Sequence, residues 1–116
     1  MLLTERKNQP YTKESRYRFV RDGNEIFEVH SIKVHEFLIE DTINPDLRAG
    51  DFLYNFQESE IGQWILQNSY YPPTWHKVER PHWILSYTYT VVAYLPTKKL
   101  SEYYLRFDPK DIQNIN

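Results

Sequence analysis

Glu60 is the residue whose placement matters most for chemistry. On a helical wheel of about 100° per residue it falls near the middle of the apolar arc formed by Leu53, Phe56, Ile61 and Trp64. A carboxylate buried there must be hydrogen-bonded, ion-paired or protonated, because desolvation disfavours the charged form. One reading is a general acid or base with a raised pKa, with His35 or His76 as second groups. The alternatives are a structural pair with a Tyr hydroxyl, His or Arg of a sheet, or a helix that breaks near Glu58-Ser59. In the last case Ser59 becomes an N-cap and Glu60 stands in water.

The four histidines, His30, His35, His76 and His82, raise a metal reading. No pair has the spacing on one helix, or on alternate strand positions, that would bring both rings to one ion. Each His therefore reads as a half-exposed strand residue with a local hydrogen bond, and neither metal nor cofactor is expected. No Gly-rich phosphate loop or nucleophile elbow is present.

Two segments carry binding chemistry instead. Tyr70-Tyr71-Pro72-Pro73-Thr74-Trp75-His76-Lys77 gathers three rings, two prolines and a cation. Stiff amphipathic rings give an interface large contact area at low ordering cost, although the same rings could cap the open end of a core. Tyr70, Tyr71, Trp75, His76 and Lys77 are the partner-binding candidates. The second segment places Arg16, Arg18 and Arg21 beside Tyr17 and Phe19, and rings on a sheet can stack nucleic-acid bases. Tyr17 and Phe19 alternate with Arg16 and Arg18, so rings and those charges face opposite ways.

Bulk composition weighs against nucleic acid too. The 116 residues carry a formal charge of −2, which leaves no excess positive field for phosphates or an anionic membrane. The absence of Cys excludes a disulfide scaffold, a thiol nucleophile and thiolate metal sites. No apolar run reaches the ~18 residues of a membrane span, and Met1 to Lys7 does not resemble a signal peptide. A soluble, intracellular protein is expected. Aromatic residues form 16% of the chain, which bulky rings packing between strands explain more cheaply than a binding site.

The elements that must position these groups follow from periodicity. Residues 1–14 are polar and aperiodic and read as a flexible arm. Period-two alternation from Ser15, then Asp22-Gly23, predicts an antiparallel hairpin with Asp22 and Gly23 central in a type I′ turn. The next strand runs through Phe27, Val29, Ile32, Val34, Phe37 and Ile39 and changes parity twice, which predicts bends near Ser31 and near His35-Glu36. Asn44 and Pro45 begin a helix within 45–69, weakened by Gly50 and Gly62. Strands are predicted over Trp75 to Glu79, His82 to Tyr94, and through Tyr103, Leu105 and Phe107. The expected fold is α+β: a mostly antiparallel, five-stranded, strongly bent sheet over one main helix, in the order β-β-α-β-β-β. It spans 15–108, with 109–116 as a tail.

Asn44-Pro45-Asp46-Leu47, Ser59-Glu60-x-Gly62-x-Trp64 through Asn68-Ser69, and Pro73-Thr74-Trp75-His76 together resemble small proteins of tailed bacteriophages whose function is generally unassigned. The resemblance covers roughly the middle third of the chain. It implies a phage origin and a host-cytoplasmic or virion setting, and it carries over no catalytic residues. The reading that results is a non-enzymatic interaction or structural accessory protein, contacting a protein partner or a second copy of itself through the aromatic loop and a sheet edge. A small enzyme or ligand-binding domain built around a buried Glu60, and single-stranded nucleic-acid binding, are the alternatives.

Overall fold

A computed structural model describes residues 5–7, 17–40, 44–79 and 86–107, with backbone alone for 5–7 and 17. In chain order the elements are β1 (Glu5–Lys7), β2 (Tyr17–Asp22), β3 (Glu25–Glu40), α1 (Pro45–Glu58), α2 (Glu60–Asn68), β4 (Thr74–Glu79), β5 (Ser86–Pro96) and α3 (Thr97–Arg106). The class is α+β. The body of the sheet is four antiparallel strands in the order β4-β5-β3-β2, and β1 adds a three-residue parallel edge on β4.

Two expectations about element count fail for physical reasons. The residues expected to form a fifth antiparallel strand, Tyr103 to Phe107, belong to α3 and its C-cap. Tyr103, Leu105 and Phe107 alternate, but Leu100, Tyr103 and Phe107 also fit a helical stripe. Tyr103 and Phe107 are the pair that is buried, while Leu105 is 89% exposed. The single main helix is also replaced, by three helices, since α1 and α2 part at Ser59. His82 and the rest of 80–85 lie outside the described residues, as do the tail 109–116 and most of the arm.

The hairpin forms one residue later than expected. Asp22 pairs with Glu25, so the turn residues are Gly23 and Asn24, and Gly23 takes a positive φ of 65°. Of the two bends foreseen in β3, one is a bulge: the register against β5 shifts between Lys33 and His35. The other parity change, near Ser31, needs no bulge. Val29 and Ser31 lie on the face away from the helices, Ile32 and Val34 on the helix face, and this stretch is buried on both sides.

The core lies between the sheet and the helices in two joined clusters. Val34, Val91, Ala93 and Leu95 of the sheet pack on Phe56, Ile61, Trp64, Ile65, Tyr103 and Phe107. Phe37, Ile39 and Tyr89 pack on Ala49 of α1, and Leu53 and Trp75 touch both clusters. Full burial of side chains such as Phe56 and Ile65 stabilises by about 1.5–3 kcal/mol each. Trp64 adds a tie, its indole N–H donating to Glu102 Oε2 of α3 at 3.1 Å.

Local chemistry sets the break between α1 and α2. Ser59 is extended, with ψ 162°, and serves as C-cap of the first helix and N-cap of the second. Its hydroxyl donates to the Phe56 carbonyl at 2.5 Å and accepts from the Gly62 N–H at 3.0 Å. Gly62 packs so closely on the Phe56 backbone that a Cβ there would collide with its carbonyl. Asn44 holds the N-cap position of α1 without a side-chain cap bond, Pro45 follows it, and Gly50 sits inside the helix without breaking it.

Gly62→Ala is expected to destabilise the fold by about 2 kcal/mol through that collision, read as a lower midpoint in urea unfolding. A midpoint equal to the wild type would refute the close-packing account. The Tyr103 hydroxyl is buried, finds no hydrogen-bond partner among the described residues, and is held above its ordinary range chiefly by burial and then by Tyr104. Tyr103→Phe should be neutral or stabilising by up to about 1 kcal/mol at neutral pH. The unfolded phenol ionises near pH 10.0 and the folded one higher, so native stability declines from that pH upward. The decline should be shallower in Tyr103→Phe, and equal slopes would contradict the burial.

Candidate functional site

Strand lengths create an open cleft among the described residues. β3 has sixteen residues and β5 eleven, and their pairing ends where Val29 faces Pro96. Glu25 to Glu28, paired with the second half of β2, therefore continue past β5 as a two-stranded ribbon. Beside this ribbon lies a cleft of about 500 Å³ lined by Glu25, Ile26, Phe27, Tyr70, Pro96, Thr97 and Lys98. Apolar surface dominates it, with Glu25 and Lys98 as the charged groups.

A chain of rings builds the wall opposite the ribbon. Tyr70 meets Phe27 edge-on at 5.4 Å and Tyr71 at 4.9 Å, and Tyr71 meets Tyr94 at 5.9 Å. The Arg18 guanidinium lies 4.9 Å from the centre of the Tyr71 ring. The backbone under these rings is fixed to the end of β5: Tyr70 N–H donates to Tyr94 O at 2.7 Å, and Tyr94 N–H donates to Ser69 Oγ at 2.9 Å. Partial desolvation, then the carboxylate of Asp22 and the neighbouring Tyr71, hold the Tyr70 phenol above its ordinary range. His30 ties ribbon to helix, with Nε2 at 3.2 Å from both Thr97 Oγ1 and Glu28 Oε2.

The partner-binding candidates divide. Tyr70 and Tyr71 line or flank this opening, whereas Trp75, His76 and Lys77 lie in β4, the strand expected over Trp75 to Glu79. Trp75 packs between the two core clusters and stands 5.8 Å from Tyr89. Lys77 Nζ sits 3.0 Å from Asp46 Oδ1, which also accepts the Tyr89 hydroxyl at 2.6 Å. That trio latches the first turn of α1 to the sheet. His76 is buried on the opposite face, its Nε2 3.1 Å from Thr74 Oγ1, which is 2.8 Å from Tyr94 OH. Nearby on that face Thr90 Oγ1 donates to Glu36 Oε2 at 3.1 Å.

Glu60 is corrected outright. Its side chain is 79% exposed and 3.9 Å from Arg106, because the break at Ser59 rotates it off the apolar arc. An acid site built on a buried Glu60 has no basis in this geometry. His35 is buried and stacked on Phe56 at 4.8 Å, so it is a core ring, whereas Glu60 stands in solvent. The structure brings Glu60, His35 and His76 into no common site. Among the described residues no three His, Asp or Glu side chains gather as a metal site. Of the cationic strand, Arg18 lies on Tyr71 and Arg21 Nε donates to Gly23 O at 3.3 Å; Arg16 lies outside the described residues.

Ile26, Phe27, Thr97 and Lys98 were not among the candidates. No local signal marked them, because they flank the part of a sixteen-residue β3 that overhangs the shorter β5. No described helix is long and apolar enough to cross a membrane. No known protein family, curated protein or solved structure matches the chain.

Proposed function

We propose that the chain is a non-enzymatic protein-interaction protein that receives its partner at the β2–β3 ribbon and the adjoining Tyr70 cleft. One observation carries this reading: Ile26 and Tyr70, both lining one open, apolar-lined cleft, are 70% and 38% exposed. Large apolar side chains grouped at an opening, on backbone held by hydrogen bonds, are what an interface needs and what an isolated surface avoids. The resemblance to tailed-phage proteins supports a setting in the host cytoplasm or the virion. Polar groups elsewhere are engaged in latches, as with Asp46, Lys77 and Tyr89, which favours binding over catalysis.

Ile26→Asp and Tyr70→Asp are the test variants, with Leu47→Asp as control because Leu47 is 75% exposed on α1, which packs near the other end of β3. With native circular dichroism in all three, the first two should lose at least tenfold in capture of partner from an extract of the natural host, and the control should lose none. Equal capture by all three would refute the ribbon and cleft as the contact surface.

A further inference from the structure

Two features fix which way the backbone groups of β3 point beyond the end of β5. The two-residue turn at Gly23 and Asn24 is closed by a hydrogen-bonded pair, Asp22 with Glu25, and such pairs alternate along an antiparallel ladder. Glu25, Phe27 and Val29 therefore spend their N–H and C=O groups on β2. On β5, the Tyr94 N–H donates to Ser69 Oγ and its C=O accepts from the Tyr70 N–H, both away from β3, which leaves Leu95 facing His30. Ile26, Glu28 and His30 accordingly aim their backbone groups toward β5. Leu95 meets those of His30, but the pairing ends at Pro96 with Val29. Ile26 and Glu28 have no backbone partner on that side among the described residues, and their groups border the cleft in the column that β5 vacates.

We infer that this column takes the C-terminal segment of a partner protein as an added strand, parallel to β3, with its free carboxylate beside Lys98. This rests on the interaction reading above and names the chemistry of the partner. Pro96 and Thr97 close the column at the root of the overhang, so an added strand ends there. Its direction follows from charge. Lys98, in the first turn of α3 at that closed end, makes no ion pair among the described residues, while the Glu28 carboxylate is turned to His30. A terminal carboxylate is favoured beside Lys98, and a terminal ammonium is repelled. At the open end the carboxylates of Asp22 and Glu25 stand opposite each other on the face away from the helices, without an ion pair among the described residues. A Lys or Arg of the occupant, placed opposite Glu25, relieves that like-charged pair. Between the ends, the residue opposite Phe27 lies on the side of the Phe27 and Tyr70 rings, and the one opposite Ile26 covers a side chain that is 70% exposed. The span from Glu25 to Glu28 thus sets the sequence of the occupant: a basic residue, two apolar residues and a small last residue.

The probe is the peptide acetyl-Ser-Lys-Ile-Leu-Ala with a free C-terminal carboxylate, titrated into the whole chain and followed by amide-resolved NMR. The backbone amides of Ile26 and Glu28 should move most, and those of Glu25 and Phe27, already bonded to β2, should move less. The C-terminal amide of the same peptide, and a version with Glu in place of Lys, should each bind about tenfold more weakly. Lys98→Glu should cost the free acid about tenfold and leave the amide unchanged. Ile26→Pro deletes an N–H that is aimed at the cleft and not at β2, and should abolish binding while circular dichroism stays native. An amide that binds as well as the acid, or a free acid that shifts no β3 resonance at millimolar concentration, overturns the inference. A wild-type chain that dimerises with the peptide unbound, its dimer lost in Ile26→Pro, overturns it in favour of a second copy. Loss of host-partner capture in Ile26→Asp without peptide binding leaves the interaction reading standing and this one refuted.

Discussion

The long ladder between β3 and β5 is what the described elements are built on, because β2, β4 and the helices all pair with or pack against those two strands. β4 pairs with β5, β2 pairs with β3, and the helices pack on the face the two central strands share. Alternation then divides the chemistry. Apolar residues of odd position on β5 meet the helices, while Thr88, Thr90 and Tyr94 line the other side with Glu36, Thr74 and His76. The bulge between Lys33 and His35 keeps this division continuous, bringing Val34 and His35 both to the helix side so that Phe37 and Ile39 follow in phase.

The joint between α1 and α2 is the second constraint, and it decides what the surface can do. Ser59 and Gly62 let the chain turn within one residue, so Phe56 at the end of one helix and Ile61 at the start of the next fill the same cluster. The same turn leaves Glu60 in solvent. Removing that carboxylate from the interior leaves a core of rings and aliphatic groups with few polar demands, of which the Tyr103 hydroxyl is one. Exposed apolar side chains then become the informative surface, since they are costly unless something covers them.

Much of this was legible in the sequence, and the parts that were not share a cause. The hairpin, the helix start at Pro45, the cap at Ser59 as one of several readings, and the bend in β3 rest on local rules that tertiary packing did not override. Tyr103 to Phe107 misled because three alternating apolar residues satisfy strand and helix periods alike, and the decision falls to Leu100 one turn earlier. Glu60 misled because a helical wheel assumes an unbroken helix. The strand expected over Trp75 to Glu79 forms as β4, and what the sequence pattern did not show is that it turns Trp75 and Lys77 toward α1 and the core rather than to a partner. The cleft itself depends on where β5 stops relative to β3, a relation between segments some seventy residues apart that no local pattern encodes.

The ribbon beyond Pro96 also differs mechanically from the sheet it prolongs. Two strands alone coil more steeply than strands flanked by neighbours, so the ribbon gains torsion at the point where β5 lets go. Its tip is oriented by the backbone of two strands and by the clasp of His30 on Thr97 and Glu28. The hairpin is thus tied to the first turn of α3 as well as to the sheet, through one histidine at the root of the overhang.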